Sequence, residues 1–271
     1  SFTDEHGATV LTYGGLKAWD ADGKTLPARM TTATHAAATE NGKRKTENAL
    51  TVEVDARGAR YPVTIDPIAQ QAYLKPAAVG TTQVFDQFGR SVAISGDTVV
   101  VGAPLEDSNS TGIDSIPNDD GTANDSGAVY VFVRQGTSWS QQAYLKPAAV
   151  GSTQAGDQFG IAVAVSGDTI IVGANGEDSG STGINSSPNE SELSSGAAYI
   201  FARRGSKSSQ QAYLKPASVG ATQSSDQFGA SVGIWGDTAG LGAPYENSSC
   251  SGIDSSPNEN SVASGAAYIF Q

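Results

Sequence analysis

Carboxylates are the side chains of this sequence best placed to do chemistry, and they crowd into one loop. Residues 105–126 run for 22 positions without strand character and carry six acids: Glu106, Asp107, Asp114, Asp119, Asp120 and Asp125. Hard cations take six to eight oxygen ligands, mainly carboxylate and carbonyl, so such a loop could wrap Ca²⁺. Two related stretches carry fewer acids: Glu177, Asp178, Glu190 and Glu192 in 176–195, then Glu246, Asp254 and Glu259 in 245–264. Any Ca²⁺ affinity is expected to fall in that order. The EF-hand template does not fit, because placing Gly121 at its sixth position puts Ile116 first and Gly127 twelfth. The competing reading is a solvated loop held by Asx turns, since Asp, Asn, Ser and Gly each favour turns on their own account. Structureless loops of this length are usually functional or disordered.

The same loops hold five Asn-x-Ser/Thr triplets, at Asn109, Asn124, Asn185, Asn189 and Asn247. They are candidate glycosylation sites, although Asn/Ser-rich text also produces such triplets by accident. Nucleophilic chemistry has little to build on. His6 and His35 are the two histidines, and neither lies among the repeats described below. No HExxH, GxSxG or phosphate-cradling glycine loop occurs. The lone Cys250 excludes an internal disulfide or a cysteine-based zinc site, and it stands where related units have Ser110 and Ser181. A paired-carboxylate hydrolase acting on carbohydrate stays open as an alternative, because acids are plentiful. No single acid stands out from its repeat copies, so a non-enzymatic chain is expected.

What positions these loops is a threefold repeat. Gln70-Gln71-Ala72-Tyr73-Leu74-Lys75-Pro76-Ala77 returns at 141–148 and 210–217, at spacings of 71 and 69 residues. Asp86-Gln87-Phe88-Gly89 returns at 157–160 and 226–229. Gly102-Ala103-Pro104 returns as Gly173-Ala174-Asn175 and Gly242-Ala243-Pro244. Each unit closes on an aromatic run, Tyr130 and Phe132 in the first. The patterns are β: Ser91–Ser95 alternates, Val99-Val100-Val101 is β-branched, and Gly96-Asp97 between them suits a two-residue hairpin. Four short strands per unit are expected, at about 70–75, 89–95, 98–103 and 127–134, the pattern of a propeller blade. Asp86, Asp157 and Asp226 read as turn caps. Lys75, Lys146 and Lys215 read as strand-edge charges. Phe88, Phe159 and Phe228 read as packing between blades.

Phe88-Gly89 followed by Gly102-Ala103-Pro104, in register three times, resembles the FG-GAP repeat. That family builds the seven-bladed propeller of integrin α-chain heads and of many bacterial surface proteins. The resemblance covers residues 70–271 and implies an all-β, extracellular or cell-surface protein. Its usual calcium loop, a DxDxDG-like stretch between the FG and GAP strands, has no counterpart here, where that interval is a tight Ser-Gly-Asp-Thr turn.

Residues 1–69 are a different object. Residues 8–18 look like strands with a glycine break, Asp20–Lys24 like a hairpin turn, 31–48 like a loop, and 51–65 like a second hairpin. The expected organisation is thus a β-module over 1–69 and repeats over 70–140, 141–209 and 210–271. Charge follows this boundary. Residues 1–69 carry eight basic and nine acidic side chains, whereas 70–271 carry eight and nineteen, giving the chain its net −12. That balance argues against a nucleic-acid partner. No apolar run approaches the roughly 18 residues of a membrane span.

Propellers close with four to eight blades, so three repeats suggest an incomplete ring or one assembled with partner chains. A fragment of a longer chain or an oligomer is expected. The function expected is extracellular adhesion, ligand binding to a protein or glycan, or scaffolding, with Ca²⁺ as a stiffener. The alternative is a self-assembling fibre or surface-layer subunit that exchanges strands between identical chains.

Overall fold

The computed structural model describes residues 2–3, 9–37, 45–77, 80, 82–148, 151, 153–217 and 219–271. It divides into two compact units, 1–74 and 75–271, and every described element is a β-strand.

In the first unit β1 (Phe2–Thr3), β2 (Thr9–Trp19) and β5 (Thr64–Gln70) form one antiparallel sheet, while β3 (Ala28–Ala37) and β4 (Lys45–Val54) form another. The glycine break expected in 8–18 is a register shift between Tyr13 and Gly15 within one strand. The turn at 20–24 forms as expected. Asp20 Oδ1 accepts from the Asp22 and Lys24 amides at 3.0 and 2.9 Å, and these bonds hold its carboxyl below the usual carboxylate range. Two expectations fail. Residues 31–37 and 45–48 are strand rather than loop, and 38–44 lie outside the described residues. Residues 51–54 pair with 28–31, not with 61–65, because β5 instead completes the sheet with β2. Ten-residue partners outcompete a local hairpin whose turn text is long and polar.

The second unit holds three sheets in series. The first runs β6 (Ser91–Ser95), β7 (Thr98–Ala103), β8 (Ala128–Gln135), β9 (Ser138–Leu145). The second runs β10 (Ala162–Ser166), β11 (Thr169–Ala174), β12 (Ala197–Arg204), β13 (Lys207–Leu214). The third is β14 (Ser231–Trp235), β15 (Thr238–Ala243), β16 (Ala266–Phe270). Neighbours pair antiparallel in simple up-and-down order, the topology of propeller blades, and the three do not close a ring.

One sequence expectation is corrected here. The phrase Gln-Gln-Ala-Tyr-Leu does not begin a sheet; it ends the preceding one. Tyr144 pairs with Tyr130 and Leu145 with Val129, and Tyr213 with Tyr199 in the same way. Residues 71–76 form no strand. The folded blade is therefore offset by one strand from the sequence repeat.

The core lies between blades rather than within them. Val100, Val129, Val131 and Leu145 of the first blade meet Phe159, Val163, Val165, Tyr199 and Phe201 of the second. Ile171, Ala198 and Leu214 meet Phe228, Val232 and Ile234 in the same way. The expected role of Phe159 and Phe228 holds: both are fully buried, and Phe159 lies edge-on to Tyr199 and Phe201 at 5.4 and 6.0 Å. Glycines permit the approach. A Cβ on Gly102 would lie 2.1 Å from the Gly160 carbonyl oxygen, and one on Gly173 would lie 2.0 Å from that of Gly229.

Candidate functional site

The loops after each GAP strand are anchored at their roots by a buried polar cluster. Glu106, first acid of the first loop, is buried. Its Oε2 lies 3.3 Å from Lys146 Nζ, and its Oε1 accepts from the Tyr144 hydroxyl at 3.0 Å. Lys146 Nζ also donates to Ser126 Oγ at 2.6 Å and to the Gly127 carbonyl at 2.7 Å. Ser126 Oγ in turn donates to the carbonyls of Glu106 and Ser108, so both ends of the loop are tied to the tip of β9. The second blade repeats this with Glu177, Tyr213, Lys215 and Ser195.

Lys146 and Lys215 are thus not strand-edge charges; neither has exposed surface. The four-carbon stem of each is buried while the ammonium finds carbonyl, hydroxyl and carboxylate acceptors. Burial lowers both lysines, Lys215 to about 8, against the pull of Glu177, which itself is pushed up by burial. Asp86, Asp157 and Asp226, read as turn caps, are all buried. Desolvation and the neighbouring Glu177 push Asp157 to about 8; desolvation and Glu246 push Asp226 to about 7. Asp86 rises to about 6 for the same reasons.

The six acids of the first loop do not converge. Glu106 belongs to the buried cluster. Asp107 Oδ1 accepts from the Asp125 amide at 2.8 Å, and Asp114 Oδ1 from the Tyr144 amide at 3.0 Å. Asp119 Oδ2 accepts from the Thr82 amide at 3.2 Å. Asp120 accepts from Asn109, Asn118 and Thr122. Asp125 holds a left-handed backbone, φ 56°. Among the described residues no group of three or more metal-ligating side chains comes together. As arranged, Asp107, Asp114, Asp119 and Asp120 accept from backbone N–H groups.

Of the glycosylation candidates, Asn124, Asn185 and Asn189 are exposed, and Asn109 and Asn247 are half-buried. Asn109 donates to Asp120 and Thr122, while Asn185, Asn189 and Asn247 accept backbone amide protons. Cys250 takes the place of Ser110 and Ser181, with Ser248 and Ser255 hydroxyls at 2.8 and 3.0 Å from its sulfur. His6 lies outside the described residues, and His35 lies in β3.

Among the described residues the acid of the third blade has no lysine beside it. Glu246 is buried, its Oε2 accepts from the Ser248 amide, and its Oε1 has no hydrogen-bond partner among the described residues. Ser264, equivalent to the buried Ser126 and Ser195, is exposed. A groove of about 740 Å³ runs beside β16, lined by Glu246, Cys250, Tyr268 and Phe270 among others.

Sequence reasoning missed this cluster. The signal was present: Glu106, Glu177 and Glu246 recur just after the Gly-Ala element as faithfully as the lysines of Tyr-Leu-Lys-Pro, and two opposite charges repeated in step suggest a pair.

Three antiparallel sheets packed face to face, each carrying a long loop on a buried root, define an open array of propeller-type blades. Residues 82–132 and 139–201 match the FG-GAP repeat family model, so these blades carry FG-GAP repeats. Comparison with curated proteins finds no match.

Proposed function

We propose that this chain is a non-catalytic, extracellular binding or scaffolding protein whose rigid blades present the three long loops to a protein or glycan ligand. The observation that carries this reading is the contrast between root and tip. Each root holds a buried Glu, joined in the first two blades by a buried Ser and Lys. Each tip leaves large apolar side chains in water: Ile116, Leu193 and Val262. Exposed apolar groups rimmed by polar ones mark interaction surfaces, and rigid scaffolds with variable loops are a common way to build them. The buried lysines contact no solvent and so meet no substrate, which supports a structural role for the most chemically perturbed groups. An extracellular setting is supported by the family assignment.

The test is binding of the whole chain to arrays of glycans and of extracellular-matrix proteins, repeated with the triple variant Ile116→Ser, Leu193→Ser, Val262→Ser. Retained ligand on the parent and its loss on the variant, with unchanged thermal unfolding, is expected. Release of product from any glycan in a hydrolysis screen would overturn the non-catalytic reading, and ligand binding untouched by the triple variant would overturn the loop assignment.

A further inference from the structure

We propose that the buried pair at the root of the first loop is the site of an intramolecular crosslink, an amide between Lys146 Nζ and Glu106 Cδ that the folded chain forms by itself. This goes beyond the binding role and does not depend on what the loops bind.

Amide formation needs an amine held against a carboxyl with water kept away. Lys146 has no exposed surface, and Glu106 is 3% exposed. Lys146 Nζ lies 3.3 Å from Glu106 Oε2, and its bonds to Ser126 Oγ and the Gly127 carbonyl fix it there. The Ser108 amide fixes the carboxyl in turn, donating to the same Oε2 at 3.2 Å. Groups held in such contact react as if each met the other at about 10⁵–10⁸ M. A buried ion pair has also lost the hydration of two charges, and an amide removes both charges at once.

The surrounding groups suit the reaction. Glu106 Oε1 accepts from the Tyr144 hydroxyl at 3.0 Å, so that hydroxyl meets the negative charge that grows on Oε1 when Nζ adds to Cδ. Burial pushes Tyr144 up and keeps it a donor. Burial lowers Lys146, which favours the neutral amine that attacks. Asp157, another carboxyl acting on Lys146, is pushed to about 8, so at neutral pH it adds no charge that would hold the lysine as ammonium. The balance closes without an oxidant. The Cδ–Nζ bond forms, the Cδ–Oε2 bond breaks, two protons of the ammonium end on Oε2, and one water leaves.

The second blade supplies the comparison. Lys215 Nζ is 3.7 Å from Glu177 Oε2, beyond hydrogen-bond reach, and donates instead to Ser195 Oγ and the Gly196 carbonyl. That pair is expected to remain unlinked.

Mass spectrometry of the whole chain tests this. The folded chain should weigh one water less than its sequence, and trypsin should release a branched peptide joining 91–134 to 135–203. Lys146→Arg should restore the full mass. Tyr144→Phe keeps the ring and should slow the appearance of the branched peptide, followed from translation, roughly a hundredfold. Thermal unfolding reports whether each variant folds. The parent chain decides the matter even if neither does: its full sequence mass after prolonged incubation at neutral pH would overturn the proposal. A missing water found in linear peptides, as ring closure at Asp120-Gly121 would give, would overturn it too. A second branch between Glu177 and Lys215 would overturn the contact distance as what selects the first blade, and an unslowed Tyr144→Phe would overturn the part given to that hydroxyl.

Discussion

Removing buried charge from water is costly, and this chain does so in each blade. Asp157, raised to about 8, keeps its proton in the fold at neutral pH, whereas in the unfolded chain it ionises near 4. Between those values the folded state holds the extra proton, so this group makes stability fall as pH rises from about 4 to 8. Lys215, lowered to about 8, acts in the opposite sense above that point: from 8 to about 10.5 the unfolded chain binds the extra proton, and stability rises with pH. A trough in urea-unfolding free energy near pH 8 is the expected outcome. Asp157→Asn should flatten its acid limb and Lys215→Met its alkaline limb; a profile unchanged by both would refute the assignment. The pairing of glutamate with lysine left a signal in the sequence, but the burial did not. A lysine before a proline looks like a surface charge until the strand that carries it is placed inside a sheet, and burial depends on contacts between residues some 20 to 40 positions apart, such as Lys146 with Ser126 and Glu106.

Strands were easier to read than their partners. The alternation at 91–95, the β-branched run at 99–101 and the hairpin glycine at 96 are local signals, and all three appear where expected. Sheet membership is not local, which is why the tyrosine strand was placed in the wrong blade and residues 51–65 were read as a hairpin. Close approach between blades makes a prediction at this scale. Gly127 and Gly112 share nearly the same left-handed backbone, φ 81° and 82°. A Cβ on Gly127 would lie 2.1 Å from the Phe159 carbonyl oxygen; one on Gly112 would meet nothing within 4 Å. Gly112→Ala should therefore cost only the backbone penalty of about 1–2 kcal/mol. Gly127→Ala should cost a further ~1–3 kcal/mol by forcing the blades apart. Urea midpoints of the two variants compare these directly, and equal losses would show that the contact does not matter.

For the array as a whole, stability should be graded. Blades that bury their faces only against neighbours behave as a one-dimensional series. The second blade is covered on both sides, while Val92 and Ile94 of the first and Ile269 of the third stand in water. Hydrogen exchange followed by mass spectrometry should show β11 and β12 protected longest, with β6 and β16 opening first. Uniform protection across the three sheets would mean that they unfold as one cooperative block. The presence of three related blades could be read from the sequence, because repeats announce themselves by identity. Whether the series closes could not, because closure depends on a geometry between faces that no single repeat contains.

The one-strand offset between repeat and blade has a hereditary consequence. A gene segment copied from one Gln-Gln-Ala-Tyr phrase to the next does not encode a self-sufficient fold; it encodes the last strand of its predecessor and the first three of its own. Inserting or deleting such a segment leaves every interior blade complete, since each newcomer finishes the sheet before it and is finished by the one after. Chains of this design can change length by whole copies without passing through a broken intermediate. Cutting at residue 209 would strip the second blade of β13, whereas cutting after Ala217 would leave it whole.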